Sequence, residues 1–348
     1  MQAESSYTQT AQSLFQKVWG RHVDLLCCPD CRGQSAGLYY KQDSGREALI
    51  CGNCNFEFPI INDIPILLPK GRIGIVDEIR KIAVRDVRSS GVGASGASDS
   101  MADWKYLSFQ YYSRFCEFKK SMVDLRPQDI VLDIGCAGGS IADDFENYIG
   151  LDTSWKLISF ARHHSDKPFV LADAQAIPFK ADSIDCAVSR NLLEHTINDR
   201  EIIREIRRVC RSNGIFELPC SDGVSFLIDP INTIRIRAGL SPKPFFSYGF
   251  GHINMQTEKE WEKRLTENGF KVIGKKYLGR GIIFKLITFL ECALFSYGDN
   301  DDIPARLVER KSLRFIHMIY DFVYKLDPKT KKSWSRVFIV TPKKQDVA

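Results

Sequence analysis

Residues 129–139 read Asp-Ile-Val-Leu-Asp-Ile-Gly-Cys-Ala-Gly-Gly, and a second carboxylate, Asp152, follows Asp133 by 19 residues. Ile130, Val131, Leu132 and Ile134 form the short apolar run of a strand covered on both faces. Gly135 and Gly139 supply a tight turn where the backbone can approach a ligand closely. The pattern predicts a helix start after the turn, with unpartnered amides facing an anionic group. Asp152 is placed to receive a ribose.

Two nucleotide cofactors could use such a site. A dinucleotide fingerprint needs G-x-G-x-x-G, and here the three positions hold Gly135, Ala137 and Ser140. Asp133, two residues before the first glycine, is also foreign to that fingerprint. The run resembles motif I of the class I S-adenosylmethionine-dependent methyltransferases, D-x-G-x-G-x-G, with Ala137 replacing the middle glycine. Alanine costs little there if its φ stays negative. The resemblance implies cofactor contacts at Asp133, Gly135, Cys136, Ala137 and Gly139.

The resemblance continues through residues 101–220. Tyr148-Ile-Gly-Leu-Asp152-Thr153 is similar to the family's second strand, whose terminal carboxylate binds both ribose hydroxyls. Phe169-Val-Leu-Ala-Asp173-Ala174 is similar to its third strand, where Asp173 would accept from the adenine amino group. Ser183 to His195 resembles the fourth strand and the turn after it, which holds Asn191. An amphipathic helix is expected over Ile202–Arg211, stopped by Ser212-Asn-Gly214, and a fifth strand from Gly214 to Pro219. The fold expected is α/β, a Rossmann-like doubly wound sheet of seven strands with the last one antiparallel. Phe270–Tyr277 reads as its sixth strand and Arg336–Thr341 as the inserted antiparallel one.

The chain's 348 residues allow one large or two unequal domains. Hydrophobic residues at 44% and charged residues at 26% suit a soluble protein. Met1 to Gln12 is polar, without a signal-peptide core, so a cytoplasmic address is expected. The eleven cysteines then favour metal binding or buried thiols over disulfides. Net charge is +5, but residues 305–348 carry eleven basic and four acidic groups, against six and seven in residues 1–70. That C-terminal surplus is a solvated face or a phosphate-binding one.

Cys28-Pro-Asp-Cys31 and Cys51-Gly-Asn-Cys54 are two C-x2-C knuckles separated by 19 residues. Four thiolates at this spacing can close a tetrahedral Zn2+ site with no open position, hence a structural one. Cys27, poorly spaced for ligation, reads as packed or spare. With Phe56 to Pro69, the knuckles resemble the zinc-ribbon activator protein that partners several tRNA and protein methyltransferases, over about residues 24–70. The domain plan is therefore an N-terminal segment and ribbon over 1–70, a helix and flexible linker over 71–100, and a methyltransferase domain over 101–348. Insertions are expected at 221–255 and 282–330.

The resemblance implies an S-adenosyl-L-methionine-dependent methyltransferase. Proton removal from a hydroxyl acceptor would use histidine, and His195 and His252 are the two well placed by sequence. Either reads first as a hydrogen-bonded structural residue and second as a base. The apolar run Ile282–Phe295 is too short and interrupted to span a bilayer. With the helical stretch Leu313–Tyr324 and basic Lys325–Lys332, it reads first as core packing; a lid, a dimer surface and a peripheral membrane contact are the alternatives. A small-molecule, lipid-linked or saccharide acceptor is preferred. An RNA base is the alternative, since some large-subunit rRNA methyltransferases carry a four-cysteine ribbon. Against RNA, the ribbon is near neutral and Ser189-Arg-Asn-Leu is not an N/D-P-P-Y/F clamp. Oligomeric state is not readable.

Overall fold

The computed structural model describes residues 13–32, 37–43, 45–81, 116–118, 125–221, 237–239, 253–284, 286, 310–329, 333 and 335–343. The Arg88–Ser100 linker, most of the 221–255 insertion with His252, and most of Ile282–Phe295 lie outside them.

A short helix, α1 (Leu14–Trp19), opens the described chain. Ser13 caps it in a capping box with Gln16, and it buries Phe15 and Trp19. Four antiparallel strands follow: β1 (Leu38–Asp43), β2 (Arg46–Cys51), β3 (Glu57–Ile61) and β4 (Ile64–Leu67). The knuckles stand at the start and end of this ribbon's first half, Cys51 closing β2.

The doubly wound part comprises β5 (Val131–Ile134), β6 (Tyr148–Asp152), α2 (Trp155–His164), β7 (Phe169–Ala172), β8 (Ile184–Arg190), α3 (Asp199–Val209), β9 (Cys210–Pro219), α4 (Glu258–Glu267), β10 (Phe270–Leu278), α5 (Arg310–Leu326) and β11 (Ser335–Pro342). Its strand order is β7-β6-β5-β8-β9-β11-β10. The first five are parallel, and β11 lies antiparallel between β9 and β10. The expected seven-stranded arrangement is thus present. Thr257 and Glu260 form a capping box on α4. The expected stop at Ser212-Asn-Gly214 is instead inside β9, because α3 ends at Val209 and Cys210 already adopts extended backbone.

The ribbon does not stand apart. Strand β4 pairs in parallel with β7, Ile66 opposite Leu171 and Leu67 opposite Ala172, so one sheet of eleven strands runs through both units. Leu26 makes an antiparallel bridge to Phe179, and Cys27 N–H donates to the Pro178 carbonyl. Cys27 is packed at this seam, 2% exposed. Phe15, Trp19 and Leu26 share one buried cluster with Leu132, Phe179 and Ile206. The opposite face of the sheet is covered by a second cluster around Ile66, Val131, Trp155 and Ile158. At the ribbon's edge the Arg162 guanidinium meets the Asp63 carboxylate at 2.7 Å, both side chains being largely buried.

Core packing was the first expectation for Leu313–Tyr324. On α5, however, Met318, Ile319 and Phe322 are 60, 43 and 65% exposed, as is Leu326 beyond them. Arg310–Leu326 does form a helix as its spacing predicts, but these side chains turn outward. No described helix is long and apolar enough to cross a membrane.

Candidate active site

Three neighbouring parallel strands deliver three carboxylates near their carboxyl ends. Asp133 is the third residue of β5, Asp152 the last of β6, and Asp173 the first after β7. In open α/β sheets this edge is where ligands bind.

Asp133 is 3% exposed and accepts the Tyr148 hydroxyl at 2.9 Å. Val131 is in register with Tyr148, so strand alternation puts Asp133 and Tyr148 on one face. Burial pushes the Asp133 carboxyl up to about 6, against the lowering pull of Arg190 and the Tyr148 hydroxyl. Arg190 ends β8 and pairs with the fully buried Glu217 on β9 at 2.9 Å. The same guanidinium donates to Ser140 Oγ at 3.3 Å and lies 4.3 Å over the Phe118 ring. It therefore ties two strands to the glycine turn.

The turn itself holds three left-handed residues, Gly135 (φ 75°), Ala137 (φ 48°) and Gly139 (φ 69°). A Cβ on Gly135 would come within 3.1 Å of Leu192, and one on Gly139 within 3.1 Å of Phe169. Cys136 is buried between them, its N–H on the Leu151 carbonyl, and burial drives its thiol well above the ordinary range. The negative φ under which alanine would cost little is not met at Ala137: the residue adopts the conformation its glycine would, at a steric cost. The expected helix is also missing. A three-residue 3-10 turn, Ala142–Asp144, is what connects β5 to β6, and the amides of Gly139, Ala142 and Asp144 bond the carbonyls of Cys136, Gly139 and Ile141. Only thirteen residues separate the two strands, and successive tight turns use them up.

Asp152 compensates. Its Oδ2 accepts the Ala137 amide and its Oδ1 the Ser154 amide, each at 2.9 Å, with the exposed Thr153 between. An ionised carboxylate offers about four acceptor positions, so two remain for a vicinal diol. Asp173 is 6% exposed, accepts the Gln175 amide at 2.9 Å, and carries buried Ala174 beside it. Its Oδ2 lies 2.5 Å from Nη1 of Arg72, a residue just past the ribbon. Asn191 also has a positive φ, 48°, and its N–H donates to the Glu217 carbonyl. A hydroxyl acceptor pair, a further carboxylate and a turn without Cβ atoms at Gly135 and Gly139 together fit a nucleoside with a cationic tail.

His195 is exposed in the 3-10 turn after β8, its Nε2 3.9 Å from the buried Glu194. The Glu194 carbonyl accepts the amides of Ile253 and Asn254, which brings the residue following His252 against the same turn. The sequence reading missed Tyr148, Arg190 and Arg72. The alternation on β5 and β6 would have signalled Tyr148; nothing local signals Arg72, 101 residues from its partner.

The four knuckle sulfurs lie within 4.8 Å of one another, with Cys28–Cys54 at 4.0 Å and Cys31–Cys51 at 3.8 Å. Zinc–sulfur bonds of about 2.3 Å in a tetrahedron give sulfur–sulfur edges of about 3.8 Å. Burial raises Cys54, yet the Phe56 amide and neighbouring sulfurs outweigh it and bring the thiol down to about 7. The cluster could hold one zinc ion. Elsewhere, a cavity of about 330 Å3 opens at the amino-terminal edge of the sheet. Its arginines are already engaged, Arg126 by Asp129, Arg211 by Asp185 and Arg21 by Asn147, so the carboxylate edge remains the chemical site.

Residues 132–218 match the family described as Methyltransferase domain, and residues 21–63 the family described as Trm112p-like protein. An uncharacterized protein of Methanocaldococcus jannaschii, MJ1252, is 35% identical over 105 residues, covering 30% of this chain and 42% of that relative. The uncharacterized methyltransferase YcgJ of Bacillus subtilis is 30% identical over 105 residues, 27% of this chain and 42% of its own length. The chain thus spans less than half the length of these two relatives. A UPF0434 protein of Histophilus somni is 39% identical over 56 residues, 16% of this chain but 78% of that protein. The chain belongs to the family of the UPF0434 proteins over that stretch, and its Trm112p-like ribbon leads into a methyltransferase domain of class I fold.

Proposed function

We propose that the chain is an S-adenosyl-L-methionine-dependent methyltransferase acting on an oxygen of a small-molecule, lipid-linked or saccharide acceptor, braced by a structural Zn2+ in the ribbon. The single observation that carries the cofactor is the row of Asp133, Asp152 and Asp173 on β5, β6 and β7 around a left-handed turn. Bound there, the cofactor supplies an electrophilic methyl group on a sulfonium, whose displacement needs no acid. The protein's part is to hold acceptor and methyl in line at close range. Asp152 holds the ribose hydroxyls, Asp173 the adenine amino group, and Asp133 the cationic tail. Gly135, Cys136, Ala137, Gly139, Thr153, Ala174 and Asn191 line the crevice. His195 or His252 takes the acceptor's proton.

The apolar surface supports the acceptor class. Met318, Phe322 and Leu326 on α5 are exposed, as are Ile282 and Leu286, and Gly281 bridges to Lys329 just beyond the helix. Such a face beside cationic groups suits a lipid-linked acceptor and contact with a membrane surface from the cytoplasmic side. A second reading, methylation of an RNA base, is favoured by the Trm112p-like match. Labelled methyl transfer into extracts split into lipid, RNA, protein and small-solute fractions decides between them. Label in the lipid or small-solute fraction is expected, and label confined to RNA overturns the acceptor class. Loss of S-adenosylmethionine binding in Asp152→Ala is expected beforehand, and unchanged binding would remove the cofactor assignment.

A further inference from the structure

The 3-10 turn Lys70–Ile75 leaves the ribbon directly under its cysteine cluster. The Lys70 amide donates at 3.2 Å to Asp30, which lies between Cys28 and Cys31. The Lys70 ammonium sits 5.5 Å from the centroid of the Phe56 ring and bonds the Cys54 sulfur. Both ends of Lys70 are thus anchored on the two knuckles. Two residues on, Arg72 reaches the Asp173 carboxylate at 2.5 Å. Arg72 is more than half exposed while Asp173 is nearly buried, so the guanidinium forms the lip of the crevice over that carboxylate.

Asp173 has few other ties. Its Oδ1 takes the Gln175 amide, and Arg72 is the charged group on Oδ2. A guanidinium on one lone pair leaves the carboxylate acceptor capacity for a further N–H while fixing its rotamer. We propose that Arg72, supplied by the ribbon's trailing turn, is a positioning residue of the cofactor site: it holds the Asp173 carboxylate in place to accept the adenine amino group. Cofactor affinity and base selectivity then depend on the ribbon, through Asp30, Lys70 and Arg72 in sequence. The inference rests on the reading of Asp173 as the adenine acceptor.

The test is calorimetric titration of the full chain with S-adenosylhomocysteine and with its inosine analogue, in which the amino group is replaced by an oxo group. Wild type is expected to prefer the amino compound. Arg72→Ala is expected to weaken the amino compound about tenfold and to leave the oxo compound little changed, while Arg72→Lys retains most of the preference. Asp30→Ala is expected to weaken it less, with no further effect once Arg72 is alanine. Circular dichroism checks that each variant is folded; a purely structural role would lower both affinities together. If Asp173→Ala abolishes the preference but Arg72→Ala binds like wild type or tighter, the role of Arg72 is overturned and Asp173 stands. If Asp173→Ala changes neither affinity, the adenine assignment falls and the inference with it.

Discussion

The Ala137 amide donates to Oδ2 of Asp152 at 2.9 Å, so the glycine turn after β5 and the tip of β6 form one unit. Ala137 is held left-handed (φ 48°) in this arrangement, where a Cβ is disfavoured by about 1–2 kcal/mol. The carboxylate that would meet a ribose is thus also the clamp on the turn that would meet the rest of the ligand.

The first prediction follows from that clamp. Ala137→Gly should be tolerated, the relief of backbone strain roughly offsetting the added freedom of the unfolded chain. Ala137→Val, β-branched at a positive φ, should lower stability by about 2 kcal/mol and weaken cofactor binding in parallel. Chemical denaturation of the three proteins checks this. A valine variant as stable as wild type would contradict the left-handed turn.

Asp133 gives a pH signature. Its folded pKa of about 6 stands above the ordinary 3.8, because burial disfavours the charge more than Arg190 restores it. The folded state therefore gains a proton relative to the unfolded one. The stability this contributes is full below about pH 4 and is lost as the pH rises through 6, the gap amounting to about 3 kcal/mol at most. Asp133→Asn should match wild type near pH 4 and become the more stable protein by pH 7. Cofactor affinity should rise between pH 5 and 7 in wild type, as the carboxylate ionises to face a cation, and stay flat in the variant. Melting and titration at three pH values measure both. A constant difference between the proteins across that range would mean Asp133 does not titrate there.

The strands β5 to β8 were legible because each is a short apolar run ending in a carboxylate or a turn residue, and local pattern alone fixes such elements. The capping box of α4, Thr257 to Glu260, is local in the same way and spans four residues. The φ of Ala137 was not legible, since the cost of a left-handed alanine is offset by an acceptor fifteen residues away on β6. Nor was the missing helix after Gly139: the sequence offers plausible helix formers, but turns closed at Gly139, Ala142 and Asp144 take up the segment between β5 and β6. The exposed face of α5 has the period of a buried helix, and period cannot say which side of a surface will find a partner. The contacts joining ribbon and domain, Leu26 to Phe179 or β4 to β7, depend on tertiary pairing alone.

The cysteine cluster predicts one zinc per chain. Cys28 and Cys51 are 3% and 0% exposed, and their sulfurs already stand near tetrahedral spacing. Metal analysis of purified protein should return one equivalent. Cys51→Ser or a strong chelator should remove it and lower the melting temperature by at least about 10 °C. Because β4 pairs with β7 in one sheet, the loss should unfold the ribbon and loosen the methyltransferase sheet in one transition rather than two. Full thermal stability in the presence of chelator would exclude a structural metal.

The seam itself can be tested at Arg162 and Asp63, 99 residues apart in sequence and in contact at 2.7 Å. Burial pushes Asp63 up and Arg162 pulls it back, so the carboxylate depends on its partner to stay charged inside the seam. Arg162 also donates to the Ser165 carbonyl at the end of α2, which fixes the guanidinium from the domain side. Removing one member of a buried pair typically costs about 3–5 kcal/mol, whereas replacing both by neutral groups costs far less. Arg162→Met should therefore destabilise by about 3 kcal/mol, and Asp63→Asn in that background should recover a substantial part of it. A double-mutant cycle in denaturant measures the coupling. Additive losses would show that ribbon and domain do not meet through this pair, whereas a coupling of 1 kcal/mol or more, on the order expected for groups in direct contact, makes Asp63 a residue of the methyltransferase core as much as of the ribbon.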